Sequence, residues 1–413
     1  MRLAVFTNQF PTQLAPFFAR DMRSLLQADV DLEVFPLYPL DPSLWEYVSD
    51  LLSDRVLPRE RVHHISARAS VRAWRLSSLA RLPAFVRDSV VLETGAVRYG
   101  VSAVAKTAYI ALKAWAWAQR FRRYDHILAY WGSYPASCAY LFHRLTDPRI
   151  PFSMFVRANA DLHTTPIHLA MKMLYADNVF LSCEFNRQYL REKYDGIFPR
   201  LADKIHVHYS GLDLDELPFD PTGRPPAKVL AVGRFVELKG LQYVLRAAHA
   251  LRQRGIAVKL ELIGSGDQEA GLKQLAAELG LGGDVTFPGW LRPDEVLRAM
   301  RQATILVHPS VGLDFMPNVI KEAMAVGTPV IASDLAGIPE LLDAGRCGML
   351  VPPGDLHALA NGMESLLTNE SLRVQYARAA RLHLASQFDL RRNGRRLAER
   401  LRATGRRVPR GER

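Results

Sequence analysis

Between His308 and Glu340 the chain reads HPSVGLDFMPNVIKEAMAVGTPVIASDLAGIPE. An apolar strand ends, a loop follows, and a short helix leads into a second apolar strand. Strands that are apolar throughout, joined by a helix, are the pattern of a parallel sheet covered on both faces. Pro317 and Asn318 are expected in the first turn of the helix, where a proline's missing N–H does no harm. Such a helix start offers unpaired N–H groups and partial positive charge to an anion. Two carboxylates, Asp314 and Glu322, lie on either side of the loop-to-helix junction. A carboxylate just inside the helix can accept two hydrogen bonds from a vicinal diol such as a ribose. These features together predict a site for a phosphorylated sugar or nucleotide. The plainer reading of Asp314 is a loop carboxylate capping the helix.

The rest of the chain alternates in the same way. In the first half strands are expected near 2–7, 32–37, 126–131, 151–157, 178–182 and 205–209, with helices over 14–27, 134–145, 166–175 and 184–194. The segment LDLDELPFDPTGRPPAK after Gly211 has four prolines and few large apolar residues, and reads as a linker. Strands then resume at 228–235, 258–264, 285–289, 304–309 and 329–333, with an amphipathic helix over 238–254. A chain of 413 residues is too long for one compact core. The expectation is an α/β protein of two doubly wound, Rossmann-like domains facing a central cleft. Residues 1–213 form the first, 214–227 the linker and 228–385 the second. Cys138, Cys183 and Cys347 have neither metal-ligand spacing nor a disulfide framework, and read as free thiols. The apolar run at the start is too short for a signal peptide and reads as a strand, and no uncharged apolar run would span a bilayer.

Charge is unevenly placed. Residues 66–123 hold eleven Lys or Arg against two acids, and residues 391–413 hold ten Arg against two Glu, while the whole chain carries only +11. The body is therefore mildly acidic and carries two basic patches, which attract anionic surfaces. Trp74, Trp115 and Trp117 lie within the first patch at helical spacing, a pattern suited to a bilayer interface. The alternative is that these apolar residues pack in the first domain's core. Basic residues interleaved with Trp, Leu and Val, and not set on a recognition motif, argue against nucleic acid.

Three further constellations precede the 308–340 segment. In Val232-Gly233-Arg234-Phe235-Val236-Glu237-Leu238-Lys239-Gly240 a strand ends and a helix begins. Arg234 and Lys239 can both point to the strand's carboxyl end, where a planar fork and a mobile point charge suit a diphosphate. Gly264 and Gly266 would let backbone approach a ligand closely. Trp290 follows Phe287-Pro288-Gly289 at the end of an expected strand.

Together these motifs resemble glycosyltransferase family 4, whose members have the GT-B fold. The resemblance rests on Asp314 and Glu322 at the family's spacing of two acids, on Glu322-Ala323-Met324-Ala325-Val326-Gly327-Thr328-Pro329-Val330-Ile331-Ala332-Ser333, on Gly337-Ile338-Pro339-Glu340, and on Arg234 with Lys239-Gly240. One departure is Asp314, where Glu is usual. In the first half, Phe10-Pro11-Thr12-Gln13-Leu14-Ala15-Pro16-Phe17 is similar to a turn of the polysaccharide-assembly branch, with Ala15 and Pro16 replacing a Ser-Glu pair. Asn159 stands where many relatives have His. The resemblance implies a retaining transferase that moves a hexose from a UDP- or GDP-linked donor to a glycan or lipid-linked acceptor. It implies cytoplasmic work at the inner face of a membrane, with no metal ion required. Glu322 would hold the ribose, Arg234 and Lys239 the diphosphate, and Asp314 the sugar hydroxyls. Asn159, Gly264, Gly266, Trp290, Met316, Pro317, Asn318 and Val319 would line the substrate site. A helix over about 386–402 would return to the first domain, leaving a basic tail over 403–413. Two other classes share this architecture: a sugar-nucleotide epimerase, and a non-catalytic protein that binds lipid or a partner.

Overall fold

The computed structural model describes residues 1–11, 16–41, 44, 57–72, 81–157, 160–164 and 166–404. Among them the chain forms two six-stranded parallel sheets and divides into two units. One is Met1–Gly211 with the chain from Leu390 onward; the other is Leu212–Asp389.

The first sheet contains β1 (Arg2–Thr7), β2 (Asp31–Pro36), β3 (His126–Ala129), β4 (Phe152–Val156), β5 (Asn178–Leu181) and β6 (Ile205–Val207), in the order β2-β1-β3-β4-β5-β6. The strands β3, β4 and β5 are buried at every position. That is why they read as mainly apolar runs; their polar residues His126, Ser153 and Asn178 are joined by hydrogen bonds at Ser153 Oγ, 2.8 Å from His126 and 2.9 Å from Asn178. The helix Val101–Ala118 packs into this core. Trp117 meets Phe6 and Phe35 at ring distances of 5.9 and 5.3 Å, and Trp115 meets Phe85 at 4.8 Å. Both tryptophans are buried, which corrects the expectation that they face a bilayer. Helical spacing of Trp among Lys and Arg is common to a core-facing stripe and an interfacial one, and here the core takes the rings. Trp74 lies outside the described residues. Lys113 follows the tryptophans inward; its Nζ donates to the Leu37 carbonyl at 2.5 Å, and burial lowers its pKa to about 8.

The final helix, Leu390–Thr404, packs on the helix Pro16–Gln27. Asn393 donates to the Tyr209 carbonyl at 3.0 Å, Asn178 donates to the Thr404 hydroxyl at 2.8 Å, and Arg402 donates to the Ala28 carbonyl at 2.6 Å. These bonds explain why the end of the chain belongs with the first unit.

The second sheet contains β7 (Lys228–Val232), β8 (Lys259–Ile263), β9 (Val285–Gly289), β10 (Ile305–His308), β11 (Val330–Ser333) and β12 (Met349–Val351), in the order β12-β11-β10-β7-β8-β9. The segment expected to be a linker is instead a strap on this unit. Arg224 Nη1 donates to the carbonyls of Met300, Arg301 and Ala303 at 2.9–3.0 Å, and Nη2 donates to those of Asp220 and Val326, both at 2.8 Å. One arginine satisfies five carbonyl oxygens, so a proline-rich stretch without a core of its own is still held in place.

Candidate active site

In the second sheet the connections run outward from β7 in one direction and from β10 in the other. Ligands of open parallel sheets bind beyond the carboxyl ends of the strands at such a reversal. The loops that leave β7 and β10 meet there. Val311 and Gly312 N–H groups both donate to the Leu238 carbonyl, at 2.9 and 3.1 Å. Gly240 has φ +64°, and a Cβ there would fall 2.1 Å from the Pro309 carbonyl oxygen. Only glycine allows this approach, which gives the Lys239-Gly240 pair a structural reason.

The joined loops bring together four side chains. Lys239 Nζ donates to Asp314 Oδ2. The same oxygen accepts from His308 Nε2 at 2.7 Å and from Ser310 Oγ at 3.1 Å. His308 is buried, while Lys239 and Asp314 keep an exposed edge, each 16% accessible. Burial alone would push the Asp314 carboxyl up. The bond from His308 and the nearby positive charge of Lys239 overcome it and hold Asp314 well below the usual carboxylate range. Burial likewise lowers His308, against the pull of Asp314. The cluster is therefore centred on one oxygen of the Asp314 carboxylate, which accepts from Lys239, His308 and Ser310. The expected roles of Lys239 and Asp314 were separate; the structure joins them in one ion pair. His308 and Ser310 were missed as site residues. The available signal was a polar pair at the end of an otherwise apolar strand.

Arg234 leaves the same end of β7. It is exposed, and its guanidinium makes no hydrogen bond or ion pair among the described residues. The site thus offers one engaged cation, Lys239, and one uncommitted cation, Arg234.

Beyond β8, Gly264 N–H donates to the Gly289 carbonyl at 2.9 Å, and Phe235 N–H to the Ser265 carbonyl at 2.8 Å. A Cβ on Gly264 would lie 1.9 Å from the Gly233 carbonyl oxygen, and one on Gly266 would lie 2.4 Å from that of Phe235. The close approach expected at these glycines is therefore made to the chain's own backbone. They hold the Arg234 loop against the β8 and β9 ends, where Trp290 stands half-exposed.

The helix Asn318–Ala325 begins one residue later than expected, with Pro317 as its N-cap and Glu322 in its second turn. Pro317 is buried; Met316, Asn318, Val319 and Glu322 are half-buried. Asn159 and residues 12–15 lie outside the described residues. Next to Asn159, the buried Asp161 accepts from the N–H groups of Gly132, Ser133 and Arg157, each at 2.8 Å, and fixes the loop beyond β3. Arg157 itself donates to Ser210 Oγ at 3.0 Å and Asp21 Oδ2 at 3.1 Å, so its charge is committed inside the unit.

Residues 219–383 match the model for glycosyl transferases group 1. The chain is 26% identical to the amylovoran biosynthesis glycosyltransferase AmsK of Erwinia amylovora, over 97% of this chain and 98% of that one. It is 34% identical to the putative colanic acid biosynthesis glycosyltransferase WcaL of Escherichia coli, over 38% of this chain and 41% of that one. Among solved structures it resembles Anabaena Alr3699/HepE in complex with UDP-glucose, with a TM-score of 0.67 at 17% identity over 98% of this chain and all of the other. It also resembles a sucrose-phosphate synthase from Thermosynechococcus elongatus, with a TM-score of 0.67 at 18% identity over 98% of each chain. The fold is that of the GT-B glycosyltransferases, and residues 219–383 are similar to the glycosyl transferases of group 1.

Proposed function

We propose that this protein transfers a hexose, with retention of configuration as in glycosyltransferase family 4, from a UDP- or GDP-linked donor to a glycan or lipid-linked acceptor in cell-surface polysaccharide or glycolipid assembly. The observation that carries the reading is the Lys239–Asp314–His308 cluster at the sheet's reversal, with the uncommitted Arg234 on the neighbouring loop. Arg234 and Lys239 neutralise the diphosphate as the bond to the sugar breaks, an electrostatic role that needs no metal ion. A diphosphate competes with Asp314 for Lys239, which leaves Asp314 oxygens for sugar hydroxyls. Glu322 accepts from the ribose diol. Front-face attack by the acceptor, assisted by the leaving phosphate, preserves the anomeric configuration. Support for the acceptor class comes from a relative that matches over 97% of this chain, the amylovoran biosynthesis glycosyltransferase AmsK.

The reading places the protein in the cytoplasm, held peripherally on the inner face of an anionic membrane, without a nucleic-acid partner. A thermal-shift screen against UDP- and GDP-hexoses tests it, because a ligand that binds only the folded chain raises its stability. Stabilisation by one donor, followed by release of its nucleoside diphosphate when a membrane extract is added, is the expected result. Epimer formation without any acceptor would point to an epimerase, and binding without turnover to a non-catalytic protein.

A further inference from the structure

The helices Leu82–Val97 and Val101–Ala118 form a hairpin against the first unit's core. One side buries Phe85, Leu92 and Ala96, as an amphipathic helix should. The opposite side is not polar. Val86, Val90, Val97 and Val101 are 49%, 54%, 65% and 86% exposed, and Tyr99 at the hairpin tip is exposed as well. On a 3.6-residue helix Val86, Val90 and Val97 fall on one face. A run of exposed valines on a helical face marks an interaction surface.

The charges indicate what covers it. Between residues 81 and 108 every exposed charged side chain is cationic: Arg81, Arg87, Arg98 and Lys106. The two acids of that stretch are turned away. Asp88 is buried and paired with Arg87 and Arg144, and Glu93 is half-buried. A second copy of the chain is a poor partner, since a twofold contact would bring these cations toward their own duplicates. A surface that combines apolar depth with fixed negative charge suits both features. We infer that the exposed face of the 82–101 hairpin docks on an anionic lipid bilayer, with Val97, Tyr99 and Val101 entering the headgroup–acyl boundary and Arg87, Arg98 and Lys106 meeting lipid phosphates. This deepens the membrane part of the proposed function and rests on it. It also moves the contact from the tryptophans, which are buried, to valines that the charge pattern had not singled out.

Flotation of the full chain with vesicles of phosphatidylcholine, alone and with added phosphatidylglycerol, tests the inference. The chain should float with the anionic vesicles and lose them as salt rises. Val97→Asp with Val101→Asp should lower the bound-to-free ratio on anionic vesicles at least about tenfold, and Arg98→Glu with Lys106→Glu should abolish the preference for anionic lipid. Leu382→Asp, at an exposed leucine of the second unit, should leave binding unchanged. All these side chains are exposed, so melting temperatures should stay near that of the parent. Donor-induced stabilisation should also be unaffected, which separates a failure of this surface from a failure of the transferase reading. Equal binding by the Val97–Val101 variant would overturn the assignment of the face. A parent chain that ignores both vesicles, or a concentration-dependent dimer that the same variant dissociates, would overturn bilayer docking itself.

Discussion

Asp314→Asn is the most informative single change at the site. The amide keeps the shape of the carboxylate but removes the charge that one oxygen presents to Lys239, His308 and Ser310. Removing one partner of a buried ion pair costs about 3–5 kcal/mol, mainly because the other charge is left without compensation. Lys239 keeps 16% of its side-chain surface exposed and can turn partly to water. The amide oxygen can still accept one bond. The expected loss is therefore smaller, about 2–4 kcal/mol. For a unit of this size each kcal/mol lowers the melting point by about 2–4 °C, so differential scanning calorimetry resolves the effect easily. A nucleoside diphosphate would give Lys239 a new counter-charge, so saturating UDP or GDP should stabilise the variant more than the parent. A loss below about 1 kcal/mol, or equal stabilisation of both chains by the nucleotide, would refute the view that Asp314 and a diphosphate share Lys239.

Other consequences can be checked separately. Glu322→Gln should weaken binding of the bare nucleoside diphosphate in calorimetry, because the ribose contact does not involve the sugar; unchanged affinity would remove that role. Gly264→Ala should cost about 2–4 kcal/mol in chemical denaturation, since its Cβ would lie 1.9 Å from the Gly233 carbonyl oxygen; a neutral substitution would mean that the loop yields freely. Burial lowers the pKa of His126 to about 4. The unfolded chain therefore binds the proton first, and stability should fall as pH drops from about 6.5 toward 4, by up to about 3 kcal/mol from this residue. In His126→Gln the slope over that window should be shallower, which urea titrations at several pH values will show.

Much of the architecture was legible because buried parallel strands are mostly apolar along their length. The strand at 285–289 has its expected bounds, and 329–333 shortens only to Val330–Ser333. The strand Met349–Val351 went unseen; three residues after a glycine carry no period to read. The strap at 214–227 was misread because prolines signal a break in regular structure but not whether the segment is fastened, and the fastening is done by one arginine through carbonyls 76–102 positions away. The site divides in the same way. Arg234, Lys239, Asp314 and Glu322 could be picked out as candidates because they are charged residues at a strand's end or a helix's start. The Lys239–Asp314 bond spans 75 positions and follows from the order of strands, which no local pattern encodes. His308 was passed over for a related reason: a histidine ending an apolar strand is ordinary until the neighbouring loop supplies a carboxylate. The tryptophans show the converse, a helical period that cannot say which of two apolar environments it faces.

The central property to test is whether the second unit holds a nucleoside diphosphate at the junction of the β7 and β10 loops. Calorimetric titration of UDP and of GDP into the parent chain and into a variant carrying both Arg234→Ala and Lys239→Ala measures this directly. One of the two nucleotides should bind the parent at a single site, and the double variant should bind it at least about tenfold more weakly, a loss of about 1.4 kcal/mol or more. Equal affinity in the two proteins, or no binding of either nucleotide to the parent, would contradict it.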